Sequence, residues 1–267
     1  MTSYSTLTQS AIEEALLAGK FLKDSFEKPH KVISKEGKKN LVTESDLQSE
    51  QIILSFIHEN HPTHSFLSEE KEESFERDSE VKWIIDPLDG TVNFAYEIPI
   101  FTVSIAACKG TEILTGVIFQ PMTEELLVAE KGKGAFLNEA KITVSKEMHF
   151  EEAFLATGFP YNLQENPGQC INTTASFLHQ GFPIRRLGSA ALDLAYVAAG
   201  RFDAFWEIDL QPWDVAARML LVLETEGTIS KYDGTTRSPL ERTNLLASNH
   251  LLYNSMIKAI KESYPCN

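Results

Sequence analysis

The chain has 267 residues, 43% of them hydrophobic, and 38 acidic against 24 basic side chains give a formal charge of −14. That charge argues against general nucleic-acid binding, because phosphate backbones are repelled, and no apolar run approaches the ~18 residues of a membrane span. The length allows one large domain or two tightly joined lobes; Cys108, Cys170 and Cys266 are too few and too scattered for a disulfide or zinc framework, which fits a reducing cytoplasm.

The opening MTSYSTLTQSAIEE has no basic residue before an apolar stretch and does not read as a secretory signal. Leu7, Ala11, Ala15, Leu22 and Phe26 recur near helical spacing and predict an amphipathic helix over residues 8–26. Residues 30–40, Lys-rich with Gly37, read as a mobile loop. A second helix is expected from Ser45 to about His61, with Ser45 and Gln48 as a capping box. The acidic run EEKEESFERDSE at 69–80 reads as a solvated loop after its first members.

Next, Trp83-Ile84-Ile85 predicts a buried strand that ends at Asp86 and Asp89, with Pro87 taking the chain out of the ladder. Residues 101–137 alternate β-branched and aromatic residues with polar ones, broken by Lys109-Gly110 and Gly132-Lys133-Gly134, the pattern of an antiparallel meander. Ser189 suits the N-cap of a helix through Ala199, closed by Gly200. A strand at 202–207, a helix at 214–223, short strands at 228–232 and 244–248 and a terminal amphipathic helix at 251–264 follow. No repeat or linker interrupts the series. The elements alone give a mixed α/β chain.

The chemistry concentrates in WIIDPLDGTVNFAY, residues 83–96. Asp86 and Asp89 project from one tight turn and repel each other unless a cation lies between them. Hard divalent ions take such oxygen sites, and magnesium leaves several positions to water and phosphate. Asp86 can bridge two ions and Asp89 can serve one, while the turn exposes the Leu88 carbonyl. The amides of Gly90 and Thr91 follow, where an anion can be held. Metal-assisted phosphate chemistry fits this arrangement; a helix cap and turn filler is the duller account of both aspartates. Gly188, Ser189 and Ala190 open a helix whose amides can meet a polar ligand.

This string resembles the first signature of the inositol monophosphatase family. Four further blocks resemble that family in order: Leu41-Val42-Thr43-Glu44-Ser45-Asp46; His64 to Glu70; Gly188-Ser189-Ala190-Ala191; and Asp203 to Glu207 with Trp213-Asp214-Val215-Ala216-Ala217. The resemblance spans nearly the whole chain. It implies an α+β, layered α-β-α-β-α sandwich of the inositol monophosphatase and fructose-1,6-bisphosphatase type, with two lobes (about 1–150 and 151–267) flanking a cleft. It implies a magnesium-dependent phosphomonoesterase with two or three Mg2+ ions, held by Glu69, Asp86, Leu88, Asp89 and Asp214, ~3.5–4 Å apart where they act in pairs. Thr91, aided by Asp46 and Glu69, is implied to activate water, and Lys35 aligns with a family lysine.

Substrate contacts carried over are Gly90, Thr91, Gly188, Ser189, Ala190, Glu207 and Asp214. A carboxylate accepts from a cis-diol, which suits Glu207 to a sugar alcohol. The implied substrate is myo-inositol monophosphate or a related sugar phosphate. Relatives also act on fructose-1,6-bisphosphate, 3′-phosphoadenosine 5′-phosphate or histidinol phosphate, and some bacterial members act on transcription machinery. A homodimer is implied as well. Read alone, Glu69 is solvated charge, Asp46 and Asp214 are helix N-terminal charges, Lys35 is an exposed lysine and Glu207 a strand end.

The chain departs from the family pattern at Ser68, Arg218 and Thr225-Glu226. Arg218 lies four residues after Asp214, which predicts a shared helix face and an ion pair. It is expected either at the cleft edge, recognising a second anionic group, or in an ion pair at the surface or an interface.

Overall fold

The structure, a computed structural model, describes residues 4–28, 32–34, 41–73, 79–160, 163 and 167–263. The N-terminal apolar stripe forms helix α1 (Thr6–Ser25), started by the Ser5 hydroxyl accepting from the Thr8 amide. Strands β1 (Val32–Ser34) and β2 (Leu41–Thr43) pair antiparallel, so the loop expected over 30–40 contains a strand. The rest of that stretch, Lys35 included, lies outside the described residues.

Helix α2 (Glu44–Asn60) is boxed by Thr43 and Asp46, and not by Ser45 and Gln48. The Thr43 hydroxyl accepts from the Ser45 and Asp46 amides, and the Asp46 carboxylate reaches back to the Thr43 amide at 2.7 Å.

The large sheet is built from β3 (Ser65–Ser68), β4 (Glu72–Glu73) and β5 (Lys82–Asp89), then, after the short helix α3 (Thr91–Ala95), from β6 (Thr102–Lys109), β7 (Glu112–Gln120), β8 (Glu125–Glu130), β9 (Gly134–Leu137) and β10 (Ala140–Lys141). Its order is β10-β9-β8-β7-β6-β5-β3-β4. Strands β5 to β10 form the antiparallel meander, and β3 runs parallel to β5. The acidic run expected to be loop contributes β4.

A second sheet gathers β11 (Leu155–Thr157), β12 (Ile184–Arg185), β13 (Ala204–Leu210), β14 (Gly227–Ser230) and β15 (Thr243–Asn249) in the order β12-β11-β13-β15-β14. Between and after these strands run α4 (Pro167–His179), α5 (Ala190–Ala198), α6 (Ala216–Glu224) and α7 (Tyr253–Ser263).

Three cores hold five layers together. Apolar faces of α1 and α2 pack on Trp83, Ile85 and Ile105 of the large sheet and on Phe101 just before β6. α5 and α6 fill the space between the sheets with Ala191, Leu194, Val215 and Leu221. α4 and α7 cover the outer face of the second sheet, where Phe177 lies 4.6 Å from Trp206. The order is helix, sheet, helix, sheet, helix, the layered sandwich that the resemblance implied. The central contact is tight because Gly116 has no side chain: a Cβ there would lie 2.4 Å from the Ala217 carbonyl. Helix α6 therefore sits directly on β7, which delivers its first turn to the end of β5.

Candidate active site

β3 and β5 are the parallel pair of the large sheet, so their C-terminal ends lie side by side, the end at which such sheets bind ligands. β5 does not leave the ladder at Pro87. It continues to Asp89 through a bulge, with Asp86 opposite Ser104 and Asp89 opposite Thr102. Residues three apart on a regular strand face opposite sides; the one extra residue turns Asp89 back to the side of Asp86. Gly90 then takes φ +97°, where a Cβ would lie 2.9 Å from the Ile100 carbonyl, and α3 begins at Thr91.

The carboxylates of Asp86, Asp89 and Asp214 converge, with one oxygen of each within 4.8 Å of the others. Asp214 precedes α6, whose N-cap is Val215, and accepts from the Gln211 amide at 2.7 Å. The helix expected from 214 thus starts two residues later. The Thr91 hydroxyl lies 2.9 Å from Asp46 Oδ1 and 3.1 Å from the Leu88 carbonyl. Asp46 is thereby both a helix cap and a partner of Thr91. Glu69 is part-buried at the end of β3, its amide donating to the Ile85 carbonyl at 3.2 Å, and it is not one of the three converging residues. Behind it, Ser68 donates to the buried Glu50 at 2.5 Å, tying β3 to α2.

The start of α5 is turned inward. The Ser189 hydroxyl and the Ala191 amide both donate to Asp89, the latter at 3.0 Å. These groups, expected to face a ligand, are engaged by an aspartate, while Gly188 and Ala190 stay part-exposed beside them. Asn93 braces the junction, donating to the Ile100 and Leu187 carbonyls at 2.8 and 2.9 Å. Glu207 on β13 is buried, and its Oε2 has no hydrogen-bond partner.

Arg218 departs furthest from expectation. It is fully buried, and neither the cleft edge nor the surface holds it. Its Nη2 lies 3.4 Å from Asp86 and 3.5 Å from Asp89. The pair predicted with Asp214 assumed that both residues are helical, but Asp214 is not. Glu226, where the family resemblance leads one to expect glycine, takes a left-handed φ of +68°. Asp193 was passed over by sequence reasoning: it is 1% exposed, and its Oδ1 has no hydrogen-bond partner. The available signal was an acidic residue inside the otherwise apolar ALDLAYVA.

Burial dominates the electrostatics. It pushes Asp86 well above the usual carboxylate range, with the charges of Glu69 and Asp89 adding to it and Arg218 opposing. Burial likewise raises Asp214 to about 6, and raises Glu207 to about 8 with help from Asp214 and Asp89. Asp46 rises to about 6 by burial, against its bonds from Thr43 and Thr91. Crowded carboxylates with raised pKa values are stabilised by nearby positive charge. An all-oxygen donor set of carboxylates and the Leu88 carbonyl suits a hard divalent ion. These residues fit a metal centre.

The profile of the inositol monophosphatase family matches residues 3–264. The chain is 38% identical over 262 residues to an inositol-1-monophosphatase of Rhizobium meliloti, covering 98% of both chains. It is 39% identical over 255 residues to Nus factor SuhB of Escherichia coli, covering 94% of each. The crystal structure of the extragenic suppressor protein suhB from Bartonella henselae superposes with a TM-score of 0.90 at 37% identity, covering 97% of this chain and 99% of that one.

Proposed function

The chain belongs to the inositol monophosphatase family of phosphoric monoester hydrolases, and from that premise we propose magnesium-dependent hydrolysis of myo-inositol monophosphate or a related sugar phosphate. The carrying observation is the convergence of Asp86, Asp89 and Asp214 beside the Thr91–Asp46 pair. We assign Glu69, Asp86, the Leu88 carbonyl, Asp89 and Asp214 to two or three Mg2+ ions. Such ions, when bound, offset phosphoryl charge and lower the pKa of water.

The rest falls to the chain. Thr91 orients the attacking water, and Asp46, with a pKa near 6, takes the proton, aided by Glu69. The amides of Gly90 and Thr91 receive the phosphate. Gly188, Ser189, Ala190, Glu207 and Asp214 line the alcohol side. The unpartnered Oε2 of Glu207 supports a hydroxyl contact there, whereas the engagement of Ser189 with Asp89 favours a positioning role for that residue.

The same reading takes the chain as one phosphatase unit of two joined lobes, about 1–150 and 151–267. It is homodimeric and cytoplasmic, a compartment supported by the free, buried Cys108 and Cys170. Among the described residues no helix is long and apolar enough to cross a membrane.

Likeness to a protein named as a Nus factor supports a second reading, in which the chain acts mainly by binding transcription machinery. Phosphate release with Mg2+ on inositol-1-phosphate, fructose-1,6-bisphosphate, 3′-phosphoadenosine 5′-phosphate and histidinol phosphate separates the two. Turnover highest on the inositol ester supports the first; absence of turnover on all four favours the second.

A further inference from the structure

Arg218 stands where a cation is wanted. Its side chain is fully buried on the first turn of α6, and its Nη2 lies between Asp86 and Asp89 at 3.4 and 3.5 Å. The same two carboxylates converge with Asp214 within 4.8 Å. The guanidinium is poorly satisfied: Nε and Nη1 have no hydrogen-bond partner. A guanidinium has five N–H donors, and burying one with two of its nitrogens unpaired is costly. Packing alone does not account for a cation here, since an apolar side chain of like length fills the same space without that cost. The contacts it does make are long for charge-assisted hydrogen bonds, which run at about 2.7–2.9 Å. They are electrostatic neighbours more than a fixed fork.

From this placement we propose that Arg218 is a built-in counter-cation that competes with one divalent ion for Asp86 and Asp89. The inference rests on the metal-centre reading above. Glu69, Asp86, Asp89 and Asp214 together carry four negative charges when ionised, which two divalent cations offset. The guanidinium cancels one of the four, and like charges a few ångströms apart repel. The consequence is a chain whose aspartates are partly compensated without metal and whose last ion is weakly held. An arginine cannot shed its proton to make way. The arginine keeps its charge throughout, and its competition with the ion is settled by position and by metal concentration.

Equilibrium dialysis against graded Mn2+, with free ion read by electron paramagnetic resonance, tests this on the full chain, on Arg218→Met and on Arg218→Lys. In the Met variant the weakest-held ion is expected to bind at least tenfold more tightly than in wild type. The Lys variant, keeping the charge, stays within threefold of wild type. A Met variant within threefold of wild type overturns the proposal, as does a Lys variant that binds as tightly as Met. Failure of all three proteins to bind Mn2+ refutes the metal centre itself, and the proposal with it.

Thermal unfolding supplies a readout that survives poor folding of a variant. Mn2+ raises Tm more for Arg218→Met than for wild type, and a Met variant that folds only with Mn2+ gives the same answer. Equal increments in Tm overturn the proposal.

Discussion

Two buried arginines some twenty residues apart in sequence have opposite surroundings. Around Arg237, carbonyls of β13 and of the loop between β14 and β15 hold two of the three guanidinium nitrogens: Nη2 donates to Leu210 at 3.0 Å and to Glu241 at 2.7 Å, and Nη1 to Ser238 at 3.4 Å, leaving Nε alone without a partner. Around Arg218 only one nitrogen meets a partner, and that partner is the aspartate pair. One region spends its cation on fixing a chain segment, the other leaves it facing the site. The number and kind of partners, fixed carbonyls on two nitrogens against a carboxylate pair on one, distinguish a structural charge from one whose partners are meant to change.

The sharpest test of that contrast is Asp89→Asn, because Asp89 serves Arg218, Ser189, Ala191 and the proposed ions at once. We expect kcat for phosphate release to fall roughly 10³-fold, about 4 kcal/mol, and turnover above a tenth of wild type breaks the assignment. Next, Arg237→Met strands three carbonyls and should lower stability by about 3 kcal/mol in urea unfolding. Arg218→Met, measured in Mn2+, should change it by less than about 1 kcal/mol, and equal losses erase the difference between the two arginines. Thr91→Ala belongs to the site and not to the scaffold: kcat should drop about 100-fold with KM and urea midpoint little changed.

A third buried charge sharpens the comparison most gently. Glu14 on α1 is fully buried with both carboxylate oxygens unpartnered, and burial pushes its pKa to about 9. Its folded value lies above its unfolded one, so the folded chain binds the extra proton and loses stability as pH rises from about 4.5 to 9. Glu14→Gln cannot ionise. Its stability advantage should grow by about 1 kcal/mol per pH unit across pH 6–8; urea midpoints that shift in parallel for both proteins would rule this out.

The converging aspartates of β5 were legible because Asp-Pro-Leu-Asp-Gly has few ways to be accommodated at the end of a buried strand. What the string did not reveal was a bulge that keeps β5 paired through Pro87. Arg218 was misread for a definite reason: helical i,i+4 logic needs both residues in the helix, and α6 starts after Asp214. Its true partner is 132 residues away, beyond any local rule. Helix α4 escaped notice because PGQCINTTASFLH mixes glycine and β-branched residues of weak helix propensity. Tertiary packing fixes it instead, with Phe177 against Trp206 and Cys170 in the same core. The layered order was readable through resemblance, whereas periodicity alone gave mixed α/β.

The bond from Ser189 to Asp89 spans 100 residues, and it joins the second half of the chain to the strand that carries the aspartates. A chain that has completed only its large sheet therefore owns Asp86 and Asp89 but lacks Asp214, Arg218 and the serine that orients one of them. Closing such long loops comes late in folding, because their entropy must be lost before the contacts return anything. The hydrolytic centre is consequently among the last parts to assemble. On gentle denaturation it should be among the first to go, fading while most of the backbone is still in place.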